Sequence, residues 1–279
     1  MTTPNSHSGK DMPFVQHLLE LRDRLLKMIL AIVVILLVLM PFATELFELL
    51  AKPLLQLMPE ATKMIAIDVA SPFFTPFKLT LMLSIFFAMP VIFYHLWAFV
   101  APGLYKHEKS LILPLLVSST FLFYLGMAFA YYVVFPLVFG FMISMTPDGV
   151  EMMTDISRYL DFVLKLVFAF GIAFQVPIVT IVLVRMGIVS IESLAEKRPH
   201  IIVGAFVIGM LMTPPDMISQ TLLAIPIWLL FELGLLLSRI AQRRKARNEQ
   251  EDKPNYPVPT QKEIEDEIAR IEDKRDDEK

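Results

Sequence analysis

The sequence predicts an all-α membrane protein with six transmembrane helices, and three observations carry that reading. Residues 110 to 147 contain no Asp, Glu, Lys, Arg or His, an uncharged, mostly apolar run that belongs in a bilayer. Similar runs alternate with short charged loops from Leu25 to Ser238, and 56% of the chain is hydrophobic against 19% charged. Lys and Arg gather on alternate loops, which is how orientation is written into a polytopic chain.

A span takes roughly 20 apolar residues at about 1.5 Å rise each. The first is predicted at 25–47, the second at 73–100, the third at 111–139 and the fourth at 159–184. Two shorter spans follow at 200–212 and 217–237. The fifth is short enough, at about 20 Å against a hydrocarbon core of ~30 Å, to thin the bilayer locally. Pro214 and Pro215 close it, since neither donates a backbone hydrogen bond. The alternative is that spans five and six form one re-entrant hairpin.

Six spans put both termini on one side. That side holds Arg22, Arg24, Lys27, Lys106, Lys109, Arg185, Lys197, Arg198 and the basic residues from Arg239 onward; the other holds Lys52, Lys63, Lys78 and Arg158. Both termini are therefore expected in the cytoplasm. The predicted organisation is a cytoplasmic N-terminal segment with an amphipathic helix (1–24), a six-span domain (25–238) and a charged, disordered cytoplasmic tail (239–279). In the N-terminal segment Phe14, Leu18, Leu21 and Leu25 share one helical stripe. Residues 48–72 and 140–157 are expected to lie partly in the interface as short amphipathic pieces. No cleavable signal peptide is visible. The absence of Cys excludes disulfides and thiolate metal sites.

Polar groups at membrane depth are costly and so are candidates for function. Asp161 and Lys165 stand four apart and are expected to pair along the helix, with the lysine snorkelling outward. Gln175, near mid-span, needs partners either as interhelical glue or as functional polarity. Asp216 follows the double proline, where capping of the next helix is its simplest role. Glu232 is read as a snorkelling or paired carboxylate. Glu20 has an i,i+4 partner in Arg24. Glu20 and Glu108 are nevertheless carboxylates on a basic face near the aromatic Phe99, an arrangement suited to guanidinium groups held by forked hydrogen bonds. No hydrolase, zinc-protease, P-loop or dinucleotide motif occurs, so neither a catalytic role nor a cofactor or metal is expected.

Several long segments resemble the TatC family, the six-span core of the twin-arginine protein translocase. They are His17-Leu-Leu-Glu-Leu-Arg22, the run from Asp68 through Ser71-Pro-Phe-Phe-Thr-Pro to Lys78, Ala101-Pro-Gly-Leu-Tyr-Lys-His-Glu108, Gly126 through Pro136, and Thr213-Pro-Pro-Asp through Pro226. The resemblance runs from Phe14 to Arg239. It implies a glove-shaped bundle with a concave face in the bacterial cytoplasmic membrane, working with TatA and TatB in an oligomeric TatBC-type complex on the proton-motive force. It implies signal-peptide binding by Glu20, Arg22, Phe99 and Glu108, chiefly through the two carboxylates. By the same resemblance Pro53, Asp68, Phe73 and Asp216 are outer-side positions important for transport, and Met210, Thr213 and Gln220 form the region for TatA and TatB; Gln175 is counted with the transport positions. Membrane lipids are further partners; nucleic acid is not.

The chain departs from the pattern at Gln175, where the family often has glutamate. An amide forms hydrogen bonds but cannot titrate. Lys165 is likewise outside the expected pattern. Two other functions make different demands on the chain. A small-solute secondary transporter predicts inverted repeats around a midplane site, and no repeat is visible. An intramembrane enzyme needs a nucleophile–base pair or metal ligands within the spans, and none is apparent.

Overall fold

The computed structural model describes residues 11–57, 64–100, 112–147, 153–212 and 217–251, and four helical positions of the tail, Gln261, Ile264, Glu265 and Ile268. The chain divides into two units, Met1–Ser238 and Arg239–Lys279; the membrane bundle is the first of these.

Ten α-helices are present among the described residues. They are α1 (Asp11–Leu39), α2 (Ala43–Leu57), α3 (Ser71–Val100), α4 (Ile112–Phe129), α5 (Phe135–Ser144), α6 (Ile156–Ala173), α7 (Val176–Arg185), α8 (Ile191–Glu196), α9 (Arg198–Met212) and α10 (Met217–Glu251). A 3₁₀ turn, Met40–Phe42, joins α1 to α2, and a π-helical turn, Ala130–Val134, joins α4 to α5. Five stretches are long and apolar enough to cross a membrane: Leu18–Lys52, Ser71–Val100, Leu113–Ser144, Ile156–Arg185 and Gln220–Arg243. Arg198–Leu211 is a shorter apolar helix.

The fifth span is short as predicted, and the sixth, Gln220–Arg243, is shorter than the other four long apolar stretches, although its helix α10 continues to Glu251. Basic side chains extend a helix beyond the apolar boundary by reaching outward from it. The N-terminal amphipathic stretch is continuous with the first span in one helix, α1.

Prolines set the breaks. Pro136 has no N–H for a regular turn, and the wider π turn immediately before it absorbs the mismatch. Pro177 follows the turn at Phe174 and Gln175 that separates α6 from α7. Pro90 leaves the Phe86 carbonyl without its helical donor, and the Tyr124 hydroxyl donates to it at 3.1 Å. Pro53 does the same to Leu49, whose carbonyl accepts from Tyr131 at 3.5 Å, while the neighbouring Leu50 carbonyl accepts from Tyr159 at 2.9 Å.

The core lies where α3, α4, α5 and α6 meet. Leu79, Phe123, Phe135, Tyr159, Leu160 and Phe170 are fully buried there. Phe123 packs edge-on to Phe93 at 5.8 Å, and Phe135 to Tyr159 at 5.9 Å. Small residues let α4 and α6 approach closely. A Cβ on Gly126 would lie 2.6 Å from the Phe170 carbonyl oxygen, and one on Gly171 would lie 2.6 Å from the Phe123 ring. The outward faces stay apolar, as on Leu30, Leu37 and Val38 of α1, which suits contact with lipid.

Candidate functional site

At the end of the bundle where α1 begins and α3 finishes, eight residues, Gln16 and Leu19 among them, surround a cavity of about 610 Å³. Glu20, Asp23, Arg24 and Lys27 come from one face of α1, at helical spacing. Tyr94 and His95 come from the last turns of α3. The Glu20 carboxylate accepts two N–H bonds from Arg24, from Nε at 3.0 Å and Nη2 at 2.5 Å, both on Oε1. This is the simple i,i+4 pair, half exposed and formed inside the cavity. His95 Nδ1 is buried with no hydrogen-bond partner among the described residues.

Arg22 takes no part in this lining. Its Nε and Nη2 donate to the exposed Asp23 at 3.0 and 2.8 Å. Phe99 lies on the last turn of α3, at the same end as the cavity and half buried. Glu108 falls outside the described residues. Sequence reasoning placed Glu20 and missed Tyr94 and His95. A histidine and a tyrosine inside an otherwise apolar span were the available signal.

A second polar group occupies the far end of α3. Asp68 opens that helix: its carbonyl accepts from Ser71 N at 3.1 Å and its Oδ1 from Ala70 N at 3.3 Å. Phe73 is 70% exposed and meets Phe74 edge-on. Asp155, which the sequence reading did not single out, is only 8% exposed. It caps α6 by accepting from Arg158 N at 3.2 Å and also accepts from Ile67 N at 3.2 Å. The backbones of Ile65 and of residues 154–156 exchange two further bonds, at 3.0 and 2.9 Å. The stretch after α2 is thereby tied to the start of α6. Below this, Ser71, Thr75 and Lys78 on α3 face Ser157 and Asp161 on α6. The three hydroxyls form a chain with links of 2.8 and 3.0 Å, and Lys78 pairs with Asp161.

That last pair overturns the expected Asp161–Lys165 bridge. Asp161 faces α3, where Lys78 takes it, and Lys165 is exposed one turn further along α6. Pro53 lies within α2, while Thr213 and Asp216 fall outside the described residues.

Gln175 sits in the α6–α7 turn. Its Nε2 donates to the Ser119 carbonyl on α4 at 2.9 Å, and its Oε1 is buried without a partner among the described residues. Ser119 also accepts from Trp97 Nε1 through its hydroxyl at 2.9 Å. One serine thus links α3, α4 and the α6–α7 turn.

At α9 and α10, Gln220 donates to the Phe206 carbonyl at 2.8 Å, and Gly209 lies against Gln220. Met210, alongside, is 52% exposed. At the other end of these helices Arg198 holds Glu232 in a two-bond fork of 2.6 and 3.0 Å. Glu232 is accordingly a paired carboxylate.

Comparison with known proteins gives one consistent result. The family model described as "Sec-independent protein translocase protein (TatC)" matches residues 16–226. A protein of that name from Azotobacter chroococcum is 56% identical over 244 residues, covering 87% of this chain and 96% of its own. The one from Escherichia coli K12 is 56% identical over 239 residues, covering 86% and 92%. A solved structure, "Crystal Structure of Twin Arginine Translocase Receptor- TatC", superposes with a TM-score of 0.74 at 41% identity, over 81% of this chain and 99% of that one.

Proposed function

The chain belongs to the TatC family, a component of the Sec-independent protein translocase, and from that premise we propose that it is the receptor subunit for twin-arginine signal peptides. It resides in the bacterial cytoplasmic membrane with both termini inside. It assembles with TatA and TatB into an oligomeric complex, and that complex exports folded proteins on the proton-motive force. The bundle is glove-shaped, with its concave face along the apolar part of the signal.

The observation that carries the reading is Glu20, a carboxylate lining a cavity among cationic groups at the end where the basic loops gather. Incoming arginines would replace Arg24 on that carboxylate. Glu108 would take the second guanidinium, with Phe99 and Arg22 shaping the approach. Two forked charge-assisted contacts select a pair of arginines over lysines, because guanidinium presents a planar set of donors. Pro53, Asp68, Phe73, Gln175 and Asp216 serve transport on this reading, in keeping with the helix starts and interhelical bonds around Asp68 and Gln175. Met210, Thr213 and Gln220 receive TatA and TatB, and the exposed Met210 beside the close α9–α10 contact supports that role.

The test is crosslinking of a photoreactive twin-arginine peptide to the full chain in membrane vesicles. Glu20→Ala and Glu108→Ala should each abolish the crosslink while membrane insertion is retained. A crosslink that survives both changes refutes the carboxylate clamp.

A further inference from the structure

Lys165 is the membrane-depth charge that the reading above leaves without a role. Asp161, one turn away on α6, is its natural partner, yet Asp161 is held across the helix crossing by Lys78. Lys165 is exposed and has no ion-pair or hydrogen-bond partner among the described residues. Two ammonium groups and one carboxylate therefore sit together with a net charge of about +1.

Depth makes this informative. Lys165 is nine residues from Ile156, the start of a 30-residue span, or about 13 Å along the axis. Its stem leaves the helix well inside this apolar stretch, where an unpaired charge is expensive and marks an interaction. Helical side chains lean toward the N-terminus, here toward Asp161. A lipid phosphate approaching from the headgroups therefore meets the Lys78–Asp161 pair first. A group arriving laterally meets Lys165 directly. The surface beyond Lys165 on the same face is apolar: Phe168 and Ala169 are half-buried and Ile172, seven residues on, is 50% exposed. A partly exposed apolar strip with one cation in it matches a helix that is apolar with one acid in it.

We propose that Lys165, backed by the Lys78–Asp161 pair, is a docking site for an acidic side chain at membrane depth on a transmembrane helix of another chain. The carboxylate binds the Lys165 ammonium, and the helix that carries it packs along the exposed face of α6. Lys78 keeps Asp161 occupied, so that Lys165 remains free for the incoming acid. The site is separate from the cavity around Glu20 and does not depend on the arginine-clamp reading.

The experiment uses the full-length chain in phosphatidylcholine vesicles. A fluorescent single-span peptide, Leu-rich with one Glu at the matching depth, is compared with its Gln counterpart by energy transfer. The Glu peptide should associate about tenfold more tightly than the Gln peptide. Lys165→Met should erase the difference, and Lys165→Glu should transfer the preference to a peptide carrying Lys. Equal association of both peptides with the unaltered chain overturns the proposal, as does a Glu preference that survives Lys165→Met. Phosphatidylglycerol at roughly one part in four supplies the lipid phosphate. Loss of the Glu preference there would assign the site to lipid and also overturn the proposal.

Discussion

Replacing Gly126 by Ala tests the packing that holds α4 against α6. The added Cβ would lie 2.6 Å from the Phe170 carbonyl oxygen and 2.9 Å from two carbons of the Phe174 ring. Ordinary contact begins near 3.4 Å, so the oxygen must recede by about 0.8 Å. That oxygen belongs to the backbone of α6 and cannot rotate away; the helices must part. Overpacking of this kind costs about 1–3 kcal/mol. The same displacement would lengthen the Gln175–Ser119 bond from 2.9 Å to about 3.7 Å, beyond hydrogen-bond range, adding about 1 kcal/mol. Gly140 is the control, since nothing lies within 4 Å of its Cβ position and alanine gains there in helix propensity. Gly171→Ala is intermediate, because it meets a side chain, the Phe123 ring. Thermal unfolding of the full chain in detergent, followed by the fluorescence of Trp97 and Trp228, should rank Gly126→Ala below Gly171→Ala, and both below Gly140→Ala and the unaltered chain. If Gly126→Ala melts with the unaltered chain while Gly140→Ala falls below it, the close-approach argument is wrong.

Other substitutions probe the polar contacts. Asp155→Ala should lose about 1–2 kcal/mol, because it removes the α6 cap and the bond to Ile67 together. Asp155→Asn should keep most of the stability, and equal melting of the two variants would count against the cap. At Gln175 the donor makes the bond, so Gln175→Leu should cost about 1 kcal/mol and impair export. Gln175→Glu should cost more at neutral pH, since an ionised carboxylate has no proton for the Ser119 carbonyl. A more stable Glu variant would mean that the buried Oε1, not Nε2, sets the requirement. Asp161→Asn should be worse tolerated than Lys78→Met, because Lys165 can take over Asp161 at i,i+4 when Lys78 is gone, whereas nothing replaces the carboxylate between two lysines. Melting in the reverse order would remove Asp161 from the centre of that cluster.

The spans were legible because bilayer solvent imposes one coarse demand, a sufficient length of apolar helix. That demand is met or not within each segment, as it is in residues 110–147. The break at Gln175 was not legible: residues 159–184 read as one apolar span, and the structure divides them into α6 and α7 just before Pro177. The length of the last helix was not legible, because helix propensity and long basic side chains carry α10 past the apolar boundary. Among the candidate residues, Glu20 was visible as an acid on a basic face. Tyr94 and His95 were not, because an aromatic inside an apolar span looks like core until the neighbouring helix is placed beside it.

Composition and local pattern alone determined the class of protein, the number of apolar helices and the family motifs, since each depends on residues close together in the chain. Tertiary structure decided the partners. Asp161 had Lys165 at the right spacing and took Lys78 instead; Gln175 found a carbonyl 56 residues away; Glu232 found Arg198 across two helices. An ion pair or hydrogen bond is chosen by distance in space, and in a helical bundle the nearest group across the crossing competes with the one four residues along.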